Sequence, residues 1–282
     1  MSNNNSSIKE CIALASDQLA NSPSSQLDSE VLMAHVLKKD RSYLRTWPEK
    51  QLNTEQFEQF DTLVKARQNG KPIAYILGER DFWSHTFHVS PDVLIPRPDT
   101  ELLIETTLDL FPTQAAIQIA DLGTGSGAIA VSLALEFPNA QITAVDNSEA
   151  ALRIAQENAS QLQCPNVNFV KSDWLNKVSI TNFDIIISNP PYIDSSDKHL
   201  NGGDVKHEPK SALIAQKNGL QDIETIATEA KTRLKKNGFL LLEHGFQQGN
   251  SVKTLLESRG YKRIQQFKDI QGHTRATLCQ LN

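Results

Sequence analysis

Between residues 116 and 188 the chain alternates short apolar, β-branched runs with stretches whose apolar residues recur every three or four positions. "AIQIADL" reads as a buried strand, "GAIAVSLALEF" as a helix, "QITAVD" as a strand and "SEAALRIAQENAS" as a helix, with "VNFV" and "FDIIIS" as two further strands. Strands joined through helices run parallel, because each crossover carries the chain back to the end of the sheet it started from. The alternation therefore predicts an α/β fold, a mostly parallel sheet with helices on both faces. A helix from Gln221 to Lys235, the strand "GFLLLEH" and a helix from Gln248 to Ser258 continue it. The runs "YKRIQQF" and "TRATLCQL" follow one another without a helix, so they are expected to pair antiparallel at the end of the sheet.

Ahead of this region, from Ser7 to Leu77, the pattern is helical throughout. Ile8, Cys11, Ile12, Ala15 and Leu19 share one face, and Leu27, Val31, Leu32 and Val36 share another after the start signal at Pro23, Ser24 and Ser25. Asn53 reads as an N-cap for a helix carrying Phe57, Phe60, Leu63 and Val64, which Gly70 ends. The stretch "RDFWSHTFHVS" turns aromatic and β-branched, as an extended or hairpin connector does. A chain of 282 residues with 39% apolar side chains can support two domains. We expect a helical domain over 1–78, a connector over 79–97 and a sheet domain over 98–282.

Composition narrows the partners. A formal charge of -5 argues against a broad phosphate-binding surface, so no direct nucleic-acid partner is expected. Cys11, Cys164 and Cys279 are few, odd in number and scattered, as reduced thiols of a cytoplasmic protein are, and they make no metal quartet. The start, "MSNNNSSIKE", lacks the apolar core of a signal peptide, and no later run approaches a membrane span. The reading is a cytoplasmic protein with no membrane partner, in which residues 1 to 6 form a frayed tail.

"ADLGTGSGAIA" sets Gly123, Gly125 and Gly127 between a strand and a helix. Glycines there let the backbone turn sharply and approach a ligand, and the helix start offers free N–H groups to an anionic moiety. Asp146 closes the next strand, where a carboxylate accepts from ribose hydroxyls. The spacing of Gly123, Gly125 and Ala128 also fits the dinucleotide fingerprint, so the loop indicates a nucleoside cofactor without saying which. Asp173 and Trp174 follow the third strand on the same rim. Trp174 reads either as a platform for an adenine ring, whose amine Asp173 would accept from, or as a rim aromatic.

"IIISNPPYID" ends a buried strand with Asn189, Pro190, Pro191 and Tyr192. The prolines lack the N–H that a ladder needs, so the strand stops, and each holds the residue before it extended. The Asn189 side-chain oxygen and the Pro190 carbonyl are then two acceptors able to grip the N–H bonds of a planar amide or amine, with Tyr192 packed on its face. Such an arrangement suits methylation of a delocalised nitrogen, where alignment replaces a strong base. On the tetrapeptide alone a rigid turn is the simpler reading; its place in a sheet that also carries the glycine loop favours chemistry.

Three further pairs carry side chains capable of chemistry. His85 and His88, with Asp81 near, sit three apart on an extended stretch and so face opposite ways, which disfavours a shared metal. His207 and Glu208, after "NGGD", read as part of a solvated loop covering the substrate sooner than as an acid/base pair. Glu243 and His244 end a strand on the ligand rim and read equally well as functional or as satisfied structural groups.

"DLGTGSG", Asp146, "SDW" and "SNPPY" together resemble the class I S-adenosylmethionine-dependent methyltransferases that modify exocyclic or amide nitrogens. More narrowly, "PIAYILGERDFWSHTFHVSPDVLIPRPDTE", "SNPPYID" with "GDVKHEP" after it, and "GFLLLEHGFQQG" resemble the release factor glutamine methyltransferases, over nearly the whole chain. The resemblance implies a Rossmann-like fold, with a mostly parallel seven-stranded sheet, an antiparallel terminal strand and a preceding helical domain that docks the substrate. It implies N5-methylation of the glutamine in the Gly-Gly-Gln motif of class I peptide chain release factors, with S-adenosylmethionine as donor and S-adenosylhomocysteine as product. The cofactor residues would be Asp121, Gly123, Thr124, Gly125, Ser126 and Gly127 at the methionyl end, Asp146 at the ribose, Asp173 and Trp174 at the adenine, and Asn189. Asn189, Pro190, Pro191 and Tyr192 would hold the glutamine, bordered by Arg97 and Glu101 of "IPRPDTE". A monomer is expected. The rivals are a glutamine methyltransferase acting on a ribosomal protein, a DNA adenine methyltransferase, a dehydrogenase using the same loop, and a cofactor-binding adaptor without chemistry.

Overall fold

The computed structural model describes residues 6–281. The chain divides between Gly78 and Glu79 into two compact units. Of the tail expected over residues 1 to 6, the first five lie outside the described residues. Ser6 is tied down, its carbonyl accepting from the Leu52 N–H at 3.2 Å.

The first unit is built from α1 (Ile8–Gln18), α2 (Ser25–Leu37), α3 (Arg41–Thr46), α4 (Thr54–Gln68) and α5 (Ile73–Leu77). Local chemistry sets two of its starts. The Glu10 N–H donates to the Ser7 hydroxyl at 3.3 Å while the Ser7 N–H donates to Glu10 at 2.8 Å; Asn53 and Gln56 repeat this reciprocal cap on α4. Ile8, Cys11, Leu32, Met33, Phe60 and Val64 are buried at the centre of this unit. The face expected for α2 is rotated, because Leu27 is exposed whereas Asp28 and Ser29 are buried. The reason is electrostatic: Asp28 accepts from the hydroxyls of Ser22 (2.8 Å) and Ser24 (2.9 Å) and from Arg67 Nε (2.8 Å). A carboxylate so fully paired can be buried where an apolar side chain was expected.

The second unit opens with the hairpin β1 (Glu79–Phe82) and β2 (His85–His88), followed by α6 (Glu101–Leu110), β3 (Gln118–Leu122), α7 (Ala128–Glu136), β4 (Gln141–Asp146), α8 (Glu149–Gln161), β5 (Val167–Lys171) and β6 (Phe183–Ser188). A helical turn α9 (Gln216–Gly219), α10 (Gln221–Ala230), β7 (Leu234–Glu243), α11 (Gly249–Ser258), β8 (Lys262–Lys268) and β9 (Thr274–Gln280) complete it. The seven strands lie in the order β5-β4-β3-β6-β7-β9-β8. β5, β4, β3, β6 and β7 are mutually parallel, and β9 runs antiparallel to both of its neighbours. Residues of one strand alternate between two cores: Ile185 and Ile187 join the side with Leu103 and Ile129, while Ile186 joins the side with Ile223 and Val252. This is the three-layer, class I methyltransferase architecture.

One element differs from the sequence reading. The helix expected to reach Lys235 ends at Ala230, because Phe183 N–H donates to the Arg233 carbonyl and the next residues enter β7 through a bulge. Residues 79–97 carry a hairpin whose Phe82 and Phe87 meet edge to face, centroids 6.1 Å apart, inside the main core. Its turn residues Trp83 and Ser84 both have positive φ, the form that matches strand twist.

Candidate functional site

The strand order turns back on itself between β3 and its neighbours β4 and β6, and such a switch point leaves a crevice at the strands' carboxyl ends. A cavity of about 180 Å³ occupies it, lined among others by Gly123, Gly125, Asp146, Asp173, Trp174, Asn189, Pro191 and Asp222. A second cavity, of about 160 Å³, is lined by Leu94, Arg97, Asn189, Tyr192, Ile193, Val205, Ala212 and Leu213. Asn189 lines both.

The glycine loop divides its labour. Gly123 (φ +73°) and Gly125 (φ +55°) adopt left-handed backbone at the cavity wall. A Cβ on Gly123 would meet the Trp174 ring at 3.6 Å, and one on Gly125 would point into open space. Gly127 instead serves packing: a Cβ there would lie 3.1 Å from that of Ala155, so its absence lets α7 approach α8. Thr124 and Ser126 are buried beneath the loop and do not line the cavity. Asp121 is buried too; its Oδ2 accepts from the Thr124 hydroxyl at 2.6 Å and the Ala130 N–H at 3.2 Å, while Oδ1 has no partner. Thus Asp121, Thr124, Ser126 and Gly127 shape the loop from below, and Gly123 and Gly125 present it.

Asp146 braces the loop and faces the cavity. Its oxygens accept from the N–H groups of Gly125 and Ser148, each at 2.9 Å. Burial raises its pKa, and those N–H groups oppose the rise. Trp174 takes a left-handed φ of +43° and shares the cavity wall with Asp222 of α10, whose pKa burial raises and the Trp174 side chain lowers. Asp222 escaped the sequence reading, since nothing local marks an acid on a helix as part of the rim.

Burial pushes the Asp121 carboxyl up to about 7 against the pull of Thr124 and Ala130. In the unfolded chain the same group ionises near its ordinary value of 3.8, so the native state binds more protons between those two values. Its contribution to stability is therefore complete below pH 4 and is lost as pH rises through 7. Asp121→Asn should flatten the fall in unfolding free energy between pH 4 and 7, read by denaturant titration at a series of pH values. A variant as steep as the parent would show that Asp121 is not the source.

Beyond the cofactor side, Asn189 donates its Nδ2 to the Thr100 hydroxyl at 3.1 Å. The Tyr192 hydroxyl donates to Oε1 of the buried Glu243 at 3.3 Å, and burial raises the Tyr192 pKa. Burial likewise pushes Glu243 up to about 7, opposed first by the Thr100 hydroxyl and then by Arg275. Pro190 is buried and Pro191 lines the first cavity. Behind Tyr192, Gln248 Nε2 donates to the carbonyls of Tyr192 and Asn218, both at 2.9 Å, and its Oε1 accepts from Gly245 N–H at 2.8 Å.

Arg97 stands at the second cavity, ion-paired with Glu208. The loop carrying Glu208 was expected to be solvated, and for this residue it is not: Glu208 is buried and accepts from Ile95 N–H at 3.3 Å as well as from Arg97. The pairing with Arg97 permits that burial, which nonetheless raises the Glu208 pKa. His207 Nε2 is buried without a hydrogen-bond partner. Glu101 borders neither cavity; it accepts from Trp83 N–H at 3.0 Å and pins the hairpin turn. His244 is a satisfied structural group, held between the Gly245 carbonyl and the Thr277 hydroxyl. His88 contacts Glu157 at 3.1 Å, and among the described residues no group of three or more His, Cys, Asp or Glu side chains is arranged around a metal position.

Known proteins share this organisation. The family model described as PrmC N-terminal domain matches residues 10–78, and that described as methyltransferase small domain matches residues 98–204. The release factor glutamine methyltransferase of Shewanella oneidensis is 47% identical over 274 residues, 97% of this chain and 96% of its own. That of Vibrio cholerae is 47% identical over 279 residues, covering 97% and 96%, and that of Escherichia coli 44% over 264 residues, covering 94% and 95%. Among solved structures, a Thermus thermophilus 16S rRNA N2 G1207 methyltransferase in complex with AdoMet and guanosine superposes with a TM-score of 0.54 at 19% identity. That match spans 72% of this chain and 50% of the other and speaks for the fold. A sheet of this order, with a glycine-walled cavity that Asn189 shares with a second one, fits what near full-length identity across both units establishes: the chain belongs to the release factor glutamine methyltransferases.

Proposed function

We propose that this protein transfers a methyl group from S-adenosylmethionine to the side-chain nitrogen N5 of the glutamine in the Gly-Gly-Gln motif of class I peptide chain release factors. The observation that carries the reading is the position of Asn189, which lines both cavities with its amide nitrogen committed to Thr100. The first cavity fits the donor: two glycines remove side chains where its methionyl end would lie, Asp146 offers a carboxylate to its ribose hydroxyls, and Trp174 and Asp173 suit its adenine. When bound there, S-adenosylmethionine supplies an electrophilic methyl carbon on a positively charged sulfur.

The rest falls to the chain's own residues. A glutamine amide nitrogen is a poor nucleophile because its lone pair is delocalised into the carbonyl. Asn189 Oδ1 and the Pro190 carbonyl accept its two N–H bonds and turn the lone pair toward the methyl carbon, while Tyr192 fixes the plane of the amide. The bound donor would supply the methyl carbon to this nitrogen, its sulfur leaving with the electron pair of the carbon–sulfur bond. The positive charge that develops on nitrogen faces these acceptors, and one N–H proton then leaves to water. Tyr192, its pKa raised, stays protonated and takes no part as a base.

A release factor substrate places the activity in the cytoplasm; among the described residues no helix is long and apolar enough to cross a membrane. The protein is proposed to act as a monomer. The test is transfer of labelled methyl from S-adenosylmethionine to a purified release factor, to the same factor with its loop glutamine replaced, and to duplex DNA. Label on the unaltered factor alone is expected. Label on the altered factor or on DNA, or none on the unaltered factor, would overturn the reading.

A further inference from the structure

We propose that Asn158 of α8, which lines neither cavity, is a positioning residue for the methyl donor: it ties the glycine loop to β2 and so holds the loop in its donor-binding shape. The inference rests on the donor site proposed above and extends it to the hairpin, none of whose strand residues lines that cavity. Asn158 is fully buried, and its amide pairs with the main chain of His88 as a neighbouring strand would. Its Oδ1 accepts from His88 N–H at 2.7 Å, and its Nδ2 donates to the His88 carbonyl at 3.0 Å. This pairing fixes the two ends of the amide, because a flipped side chain would set donor against donor and acceptor against acceptor. The second Nδ2 hydrogen is thereby aimed, and it goes to the Ser126 carbonyl at 2.8 Å.

The Ser126 carbonyl needs that donor. At a helix start the N–H four residues on ordinarily closes the first turn, and for Ser126 that group belongs to Ala130. Ala130 N–H goes instead to Asp121 at 3.2 Å, so the carbonyl of the buried Ser126 takes its hydrogen bond from Asn158. The other end of the same peptide unit is held as well, because Gly127 N–H donates to the Thr124 carbonyl at 2.8 Å. Gly123 and Gly125, which wall the donor cavity, come just before this peptide, so a rotation of it displaces them. The hairpin has its own attachment, since Phe82 and Phe87 are buried in the main core. What Asn158 adds is the link from hairpin to loop. Without the amide, three buried main-chain groups lose a partner, and the Ser126 carbonyl regains one by turning the loop.

Asn158→Leu keeps the bulk of the side chain and removes its hydrogen bonds. Its Kd for S-adenosylhomocysteine, by calorimetric titration, should rise roughly tenfold, the size of one buried hydrogen bond left unmade. The KM for S-adenosylmethionine should rise with it, while kcat at saturating donor and the KM for release factor stay parental. A readout needing no ligand accompanies these: the Gly127 N–H should exchange with solvent roughly tenfold faster. The control is Phe87→Leu, which loosens the packing of the hairpin and touches no hydrogen bond of the loop; it should lower Tm yet leave the Kd and the Gly127 exchange parental. Asn158→Ala, too short to reach Ser126, replaces the leucine variant if that one does not fold. Parental Kd and parental Gly127 exchange in a folded Asn158 variant would overturn the proposal. Equal increases in Phe87→Leu would overturn it too, by making Asn158 a packing residue alone. A parent protein that does not bind S-adenosylhomocysteine would overturn it together with the donor reading of the cavity. A parent that binds it and leaves release factor unlabelled would remove the substrate reading alone, and a raised Kd in Asn158→Leu would then still support the proposal.

Discussion

Replacing Asn189 with alanine is expected to slow methyl transfer by roughly 10²–10³-fold, the usual consequence of deleting one preorganised hydrogen-bonding group at a reacting centre. The side chain is half-buried at the shared wall of two cavities, and Thr100 fixes its amide, so no neighbouring group can stand in for Oδ1. Donor binding should be little changed, because Asp146, Trp174 and the Gly123–Gly125 turn remain. Single-turnover transfer to release factor measures the first quantity and calorimetric titration with S-adenosylhomocysteine the second. A parental rate in the variant would eliminate the clamp. Lost transfer accompanied by lost donor binding would move Asn189 to the cofactor side alone.

The second large effect belongs to a residue that touches neither cavity. Gly219 has φ +79°, and a Cβ there would overlap the Tyr192 carbonyl oxygen and crowd Gln248 Nε2 at 2.5 Å. Those are the groups that the Gln248 amide ties together. Gly219→Ala combines left-handed strain with a backbone collision, and we expect it to cost roughly 3–5 kcal/mol of stability. Because the colliding partner is the main chain of Tyr192, relief requires a backbone shift of the Gly219 turn, of Tyr192, or of both. Transfer should therefore fall by at least tenfold even at temperatures where the variant is fully folded, in proportion to the displacement of the clamp. Thermal unfolding and steady-state kinetics separate the two effects. A destabilised variant with full activity would show that Tyr192 is positioned from its other side.

What the sequence revealed and what it concealed follow from the reach of each interaction. Strand–helix alternation, the glycine loop, Asp146 and the proline-terminated strand are local patterns, and they led directly to the sheet and the cavity rim. The reciprocal caps at Ser7 and Asn53 span three residues each; Asn53 was read as a cap in advance. Thr100, Asp222 and Gln248 were not assigned roles, since their partners lie far along the chain: Asn189 is 89 residues from Thr100, and Tyr192 is 56 from Gln248. The rotated face of α2 failed for a related reason, because Arg67, the cation that balances the buried Asp28 beside Ser22 and Ser24, lies 39 residues away. Glu208 was misjudged likewise, its partner Arg97 being 111 residues distant. Glycine chemistry was legible as a class, whereas the different jobs of Gly123, Gly125 and Gly127 needed coordinates.

The position of β9 has a bearing on how this protein is made. It follows β8 in the chain yet lies between β7 and β8 in the sheet. During synthesis β8 therefore has no ladder to join, and the outer edge of β7 stays unpaired until β9 has left the ribosome. Five parallel strands, β7 with Glu243 among them, can assemble as they emerge, but β8 must wait for β9. An open edge of apolar residues such as Leu240, Leu241 and Leu242 invites pairing with other chains, so the interval before β9 arrives is the protein's window of exposure to aggregation and to chaperones.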